Sequence, residues 1–264
     1  MAYDSVKIKM HSPYKHLIKH WASDGESYIE CFNDNFVVEA KDPDNSIALL
    51  IEPRSLKPNV YKYMEVNYDK FKYVFTHDSI LLKNLPNAKP IIWGGVWSWG
   101  DEKKEFDRPI SMVASWKEES LVRIQRKKLA FELKGKIDTY GTFDGGEKVD
   151  TDTIYGKYPF SVVIENHIDD LWLTEKICNC FSHNTIPIYY GAKLVGNYFD
   201  PNGIIICNSI EEVRTAVNYI LTHAEQEYKL RARAIKNNRK IVKTHENFDT
   251  WFFNNYGELL EKMK

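Results

Sequence analysis

The sequence has few cysteines, almost no net charge and no long apolar run, and each shortage removes a class of protein. Four cysteines in 264 residues (Cys31, Cys178, Cys180 and Cys207) are too sparse for a disulfide framework, and reduced thiols fit a cytoplasmic compartment. The 36 Lys and Arg residues against 37 Asp and Glu leave a formal charge of −1, so no general field attracts nucleic acid or an acidic membrane. Any polyanion must be held locally. No apolar stretch approaches bilayer length, and the opening residues carry Asp4, Lys7 and Lys9 where a signal peptide needs an unbroken apolar segment. The expectation is a soluble protein with no integral membrane segment. Internal repeats and low-complexity tracts are also missing.

What is present is enough chain for two compact α/β halves, each able to bury a core. The aromatic content of 14 %, with 7 Trp, suits both cores and carbohydrate binding, where ring faces pack on sugar C–H surfaces. Short apolar runs at Val6 to Met10, Tyr28 to Phe32, Ser46 to Ile51, Tyr73 to Thr76 and Pro90 to Trp93 alternate with crossover stretches, the pattern of a parallel sheet. Gly94-Gly95 and the polar run Asp101 to Asp107 interrupt it, which puts a domain boundary near residues 100 to 108, dividing 1–105 from 106–264.

A second alternating series follows. Strands are expected at Ile110 to Ala114, Ile137 to Tyr140, Phe160 to Ile164, Ile186 to Tyr190 and Ile204 to Cys207. Helices are expected at 118–133, 172–183, 209–223, 225–242 and 247–262, the last of them a candidate to pack back on the N-terminal domain. Cys178 and Cys180 fall two apart within one of these helices, where side chains diverge, so they read as packing residues rather than a metal pair.

Ligands of open α/β sheets sit beyond the carboxyl ends of strands, where loops meet helix N-termini. Glu165-Asn166 occupies that position after Phe160 to Ile164. The chain then enters a helix with an apolar stripe of Leu173, Ile177 and Phe181 and with Glu175 and Lys176 in its first turn. Free N–H groups plus a lysine make a natural diphosphate site, and a carboxylate beside them can meet ribose hydroxyls. Helix starts also carry Glu for dipole reasons alone, so physics leaves scaffold and site about equal.

The run Tyr158-Pro-Phe-Ser-Val-Val-Ile-Glu-Asn166 through Trp172-Leu-Thr-Glu-Lys176, followed by Asn184-Thr-Ile-Pro-Ile-Tyr-Tyr-Gly191, resembles the signature of the family 10 glycosyltransferases, the α1,3/α1,4-fucosyltransferases. The resemblance covers residues 158–220. It implies a GT-B fold, two Rossmann-like domains with parallel sheets facing across a cleft. It also implies a donor-binding C-terminal domain, an inverting reaction with GDP-fucose as donor substrate and a glycan acceptor, and no cofactor or obligatory metal. By position, Asn166, Glu175 and Lys176 match the family's nucleotide-sugar contacts. Trp172 stands where the family usually has Tyr, keeping the aromatic face and losing the phenol. The family's diphosphate arginine matches Arg126 by spacing, with Arg123 as rival. Its general base corresponds to Glu52, which follows an apolar strand and precedes Pro53 and the Tyr-rich stretch Tyr61 to Tyr68. The acceptor is expected against the N-terminal domain, near Trp93, Trp97 and Trp99.

Two other readings compete. Asp42-Pro-Asp44 and Asp150-Thr-Asp152 satisfy the Asp-x-Asp pattern of metal-dependent transferases, although both lie among turn residues where Asp is favoured locally. A non-catalytic carbohydrate- or nucleotide-binding protein would keep the donor site without turnover. The basic series Arg231, Arg233, Lys236, Arg239 and Lys240 reads as the wet side of a helix rather than a nucleic-acid surface.

Overall fold

In a computed structural model, residues 6–12, 28–92, 94–244 and 246–263 are described. They form two compact units, one running to Trp93 and resuming at Glu246, the other spanning Gly94–His245. The division therefore falls ahead of the polar run at 101–107, because Trp97 and Gly100 are already tied into the second unit: Trp97 N–H donates to Asn179 Oδ1 (2.9 Å) and Gly100 N–H to Ser182 O (3.4 Å).

The first unit holds five parallel strands in sequence order, β1 (Ile8–His11), β2 (Ile29–Asn33), β3 (Ser46–Leu50), β4 (Tyr73–Thr76) and β5 (Ala88–Pro90), with helices α1 (Pro58–Asn67) and α2 (Ser79–Asn84) between them. The apolar run expected from Pro90 starts where β5 ends, although Ile91 N–H still donates to Thr76 O (2.9 Å) of β4. Every residue of β3 is buried, as a strand covered on both faces requires. Sequential order with right-handed crossovers puts the connecting helices on one face of the sheet, which leaves the other face to be covered from elsewhere. Adjacent residues of β4 show both covers. Val74 packs in a core with Tyr61 and Met64 of α1 and Leu81 of α2, while Phe75 meets Phe252 (4.8 Å between centroids) and Tyr256 (4.9 Å) of the last helix, α7 (Phe248–Glu261). The Tyr256 hydroxyl also donates to Pro90 O.

The second unit contains β6 (Ile110–Val113), α3 (Leu121–Leu133), β7 (Asp138–Tyr140), α4 (Thr151–Tyr155), β8 (Phe160–Ile164), α5 (Glu175–Ser182), β9 (Ile186–Tyr190), β10 (Ile205–Ile206) and α6 (Ile210–Thr244). Its parallel sheet is ordered β10-β9-β8-β6-β7. The chain leaves β6 toward one edge and β8 toward the other, so a topological switch point opens between these neighbours. The sequential first sheet has no such point.

Two helix expectations change. The segments 209–223 and 225–242 form one helix of 35 residues, because nothing between them breaks it: His223, Ala224 and Glu225 all sustain helix. Helix α5 begins at Glu175 rather than Trp172, since Thr174 adopts an extended conformation and its hydroxyl accepts Lys176 N–H as the N-cap. The basic series on α6 has local partners at two of its members: Arg231 donates to Asn202 O (2.9 Å), and Arg239 to Gly100 O (2.8 Å). Among the described residues no helix is long and apolar enough to cross a membrane.

Candidate functional site

Beyond the carboxyl ends of β6, β7 and β8 the second unit encloses a cavity of about 400 Å³. Its wall is built from Val113 to Ser115, Gly141 and Thr142, Val162 to Ile164, part of α4 including Tyr155, and Arg126, Glu175 and Lys176. The position follows from topology, since β6 and β8 flank the switch point. Gly141 is required there: its φ is +97°, and a β-carbon would lie 2.3 Å from the Ala114 carbonyl oxygen. Lys104 fixes another wall, donating to Tyr155 O (3.1 Å) and Thr185 Oγ1 (3.1 Å), and burial pulls its ammonium down to about 8.

Starting α5 at Glu175 places the helix's free N–H groups, Glu175 and Lys176 at the same spot. Glu165, fully buried at the end of β8, accepts Thr174 N–H (2.9 Å), the Thr174 hydroxyl (2.8 Å) and the Lys176 ammonium (3.1 Å). Burial works against the Lys176 charge, but Glu165 and then Glu175 outweigh it and hold the ammonium above its ordinary range. Arg126 reaches across from α3. One terminal nitrogen donates to Ile164 O (2.9 Å) and to Asn166 Oδ1 (2.9 Å), while its Nε is buried without a protein acceptor. Burial pushes this guanidinium down to about 10. The rival, Arg123, pairs with Glu119 one turn back (2.7 Å) and is not in the cavity wall.

Of the residues expected at the site, Arg126, Glu175 and Lys176 thus share one cavity, with Asn166 bonded to Arg126. Trp172, 3 % exposed, lies outside the lining. Trp97, 72 % exposed, lines this cavity and belongs to the second unit, not to the acceptor-side domain where the sequence reading put it. Trp99, also in the second unit, sits under Arg239 (5.4 Å), and Trp93 lies outside the described residues. The sequence gives no sign of the pairing of Glu165 with Lys176, although both stand within the motif, because the burial that leaves Glu165 0 % exposed has no sequence signal.

Glu52 follows β3 in the first unit, and its backbone is held from both sides. Asp34 accepts the N–H groups of Ile51 (2.9 Å) and Glu52 (3.3 Å), and the Tyr61 hydroxyl donates to Glu52 O (2.8 Å). Two residues on, Arg54 grips Asp78 with two hydrogen bonds (2.7 and 2.8 Å) and stacks on the Tyr61 ring. None of these partners was foreseen. Asp34 itself is 4 % exposed with φ +45°, and burial pushes its carboxyl up to about 7.

That shift makes a prediction. With a folded value near 7 against an ordinary 3.8, the native state holds the extra proton between them, so this contribution to stability is present below about pH 4 and lost as pH rises through 7. Melting temperatures of Asp34→Asn minus wild type are expected to climb from pH 5 to about pH 7 and to level off by pH 8. A difference that is flat with pH would show an ordinary carboxylate.

The Asp-x-Asp pairs have local roles. Asp42 accepts the Asp44 N–H (3.2 Å), Asp150 caps α4 through Thr153 N–H (2.7 Å), and Asp152 bonds His183 Nε2 (2.8 Å). Among the described residues no group of three or more His, Cys, Asp or Glu side chains is arranged to hold a metal ion.

The sequence profile described as "Glycosyltransferase family 10 (fucosyltransferase) C-term" matches residues 102–251, more than half of the chain. The chain belongs to glycosyltransferase family 10. This family 10 glycosyltransferase is similar in fold to a crystal structure of an α1,3-fucosyltransferase with GDP, at TM-score 0.55 and 14 % identity over 89 % of this chain and 82 % of that one. A second α1,3-fucosyltransferase crystal structure gives TM-score 0.55 and 14 % identity over 86 % and 80 %. No curated protein sequence matches it. The fold is therefore GT-B, with two Rossmann-like domains, and the protein is a glycosyltransferase of this family.

Proposed function

We propose that this enzyme moves fucose from GDP-fucose to a hydroxyl of a glycan acceptor with inversion. The observation that carries the reading is the single cavity at the β6/β8 switch point, where Arg126, Lys176 and the start of α5 converge. Two cations and a helix N-terminus can hold a nucleoside diphosphate without a metal ion. The α1,3-fucosyltransferase of similar fold was crystallised with GDP, which supports the same nucleotide here.

In this reading the acceptor oxygen attacks the anomeric carbon from the face opposite the nucleotide, as Glu52 takes its proton. The bond to the β-phosphate oxygen breaks, and its electron pair stays on the departing GDP. Arg126 and Lys176 stabilise that growing charge, Asn166 orients Arg126, and Glu175 meets the ribose. Trp172, within the loop that leads into α5, is 3 % exposed and outside the cavity lining, and takes no part in these steps. The first unit takes the acceptor, and the second takes the donor.

A melting-temperature panel with GDP, UDP, CDP and dTDP tests the donor. Ligand at one hundred times its Kd stabilises by about 2.7 kcal/mol, so a rise with GDP exceeding that of the others is expected, and transfer should persist in EDTA. Stabilisation by UDP alone, or activity lost in EDTA and restored by Mn²⁺, would overturn this reading.

A further inference from the structure

The three donor hydrogens of the Lys176 ammonium have three partners of unequal character. Thr174 Oγ1 lies at 2.7 Å, Glu165 Oε2 at 3.1 Å and Glu175 Oε1 at 3.4 Å. Glu165 is fully buried, whereas the Lys176 and Glu175 side chains are 19 % and 21 % exposed and line the cavity. A ligand arriving through the cavity meets the Glu175 side of the ammonium and not the Glu165 side. The long contact to Glu175 is the exchangeable one. Glu165 and Thr174 form a seat that stays in place.

The seat is closed to alternatives. The Thr174 hydroxyl gives its hydrogen to Glu165 and accepts from Lys176, so the carboxylate, the hydroxyl and the ammonium form a fully paired chain. A glutamine at 165 would have to point its NH₂ group either at the Thr174 N–H or at the Thr174 hydroxyl and the Lys176 ammonium, losing an acceptor in both cases. We propose that Glu165 is a positioning residue for glycosyl transfer, holding Lys176 against the cavity from behind so that Glu175 can release it to the donor diphosphate and turn to the ribose. The proposal rests on the donor-site reading above.

The titratable groups facing this pair come from every neighbouring element, and the tyrosines and cysteines among them are held neutral by burial. Arg126 approaches from α3, Tyr155 from α4 and Tyr189 from β9, while Glu175, Cys178 and Cys180 lie on α5. Burial and Arg126 both disfavour the Lys176 ammonium, and Glu165 is the larger of the two carboxylates opposing them. Removing that carboxylate therefore lets the ammonium lose its proton at lower pH, an effect that a merely structural role would not produce.

Calorimetric titration of the full chain with GDP at pH 7 and pH 9 tests this. Wild type is expected to bind with little change between the two. Glu165→Gln is expected to weaken binding at least tenfold at pH 7 and further at pH 9, and Glu165→Asp, which keeps the charge, to restore most of the pH 9 affinity. Glu165→Gln binding within twofold of wild type at both pH values would overturn the proposal. Lys176→Met binding GDP as tightly as wild type, or wild type not binding GDP, would instead sink the donor-site reading. Folding losses are separated by the double variant Glu165→Gln/Lys176→Met. Lys176→Met alone strands a buried carboxylate, so the double variant should melt above it; a lower, additive melting temperature would count against the pairing.

Discussion

Replacing Arg126 by methionine is expected to lower glycosyl transfer by ~10²–10³-fold, the loss seen when one preorganised donor to a developing oxyanion is removed. The guanidinium is held in place before any ligand arrives. One nitrogen is anchored by Ile164 O and Asn166 Oδ1, while Nε has no protein acceptor. A side chain held by its neighbours loses little further freedom when it meets a phosphate. The loss should appear in kcat/KM and in GDP affinity together, because the diphosphate is present before and after transfer. Methionine fills similar volume but leaves the Ile164 carbonyl without this partner, which costs about 1–3 kcal/mol, a modest fall in melting temperature. Arg126→Lys keeps the charge but cannot serve Ile164 O, Asn166 Oδ1 and a phosphate in one planar fork, and is expected to remain well below wild type. Arg123→Ala is the control. Its guanidinium is engaged with Glu119 outside the cavity wall, so transfer should stay near wild type. A tenfold loss there with Arg126→Met unaffected would exchange the two residues' roles.

The second large effect is expected from Glu52→Gln, a fall of ~10²–10⁴-fold in transfer with GDP binding unchanged. The substitution is nearly isosteric, and the contacts that hold this position are made by its backbone: the N–H to Asp34 and the carbonyl from Tyr61. Melting temperature should therefore barely move, which separates lost chemistry from lost structure. The split between intact donor binding and absent transfer is the sign of a residue acting on the acceptor hydroxyl. Transfer and slow donor hydrolysis that are both unaltered would remove Glu52 from the mechanism.

The sequence revealed the strands well because a parallel strand buried on both faces is a short unbroken apolar run. Phe160–Ile164, Ile186–Tyr190 and Tyr73–Thr76 stand where that pattern puts them. Helix ends were harder to read. Leu173 keeps the four-residue apolar spacing with Ile177 and Phe181, so periodicity extends the helix one turn too far; it is the N-cap geometry of Thr174 that starts α5 at Glu175. The division of the chain was obscured for a similar reason. The polar run at 101–107 looks like a linker, but backbone contacts of Trp97 and Gly100 with α5 had already joined that stretch to the second unit.

The order of motif elements from Glu165 to Lys176, read through its resemblance to a known signature, was enough to point to the segment that lines the cavity and to two of its polar residues, Glu175 and Lys176, because a helix start and its flanking residues are local features and local features survive in sequence. What depends on distant residues meeting was decided only by the tertiary structure. Arg126, 38 residues before Ile164, is separated from Arg123 by which of them meets the carbonyl at the end of β8. Glu165 meets Thr174, Lys176 and Tyr189 only once β8, α5 and β9 pack around it, and burial raises the Asp34 carboxyl where the chain closes over it beside Ile51 and Glu52. Desolvation and long-range hydrogen bonds are properties of an enclosed volume, and no run of residues encloses one until the chain has folded.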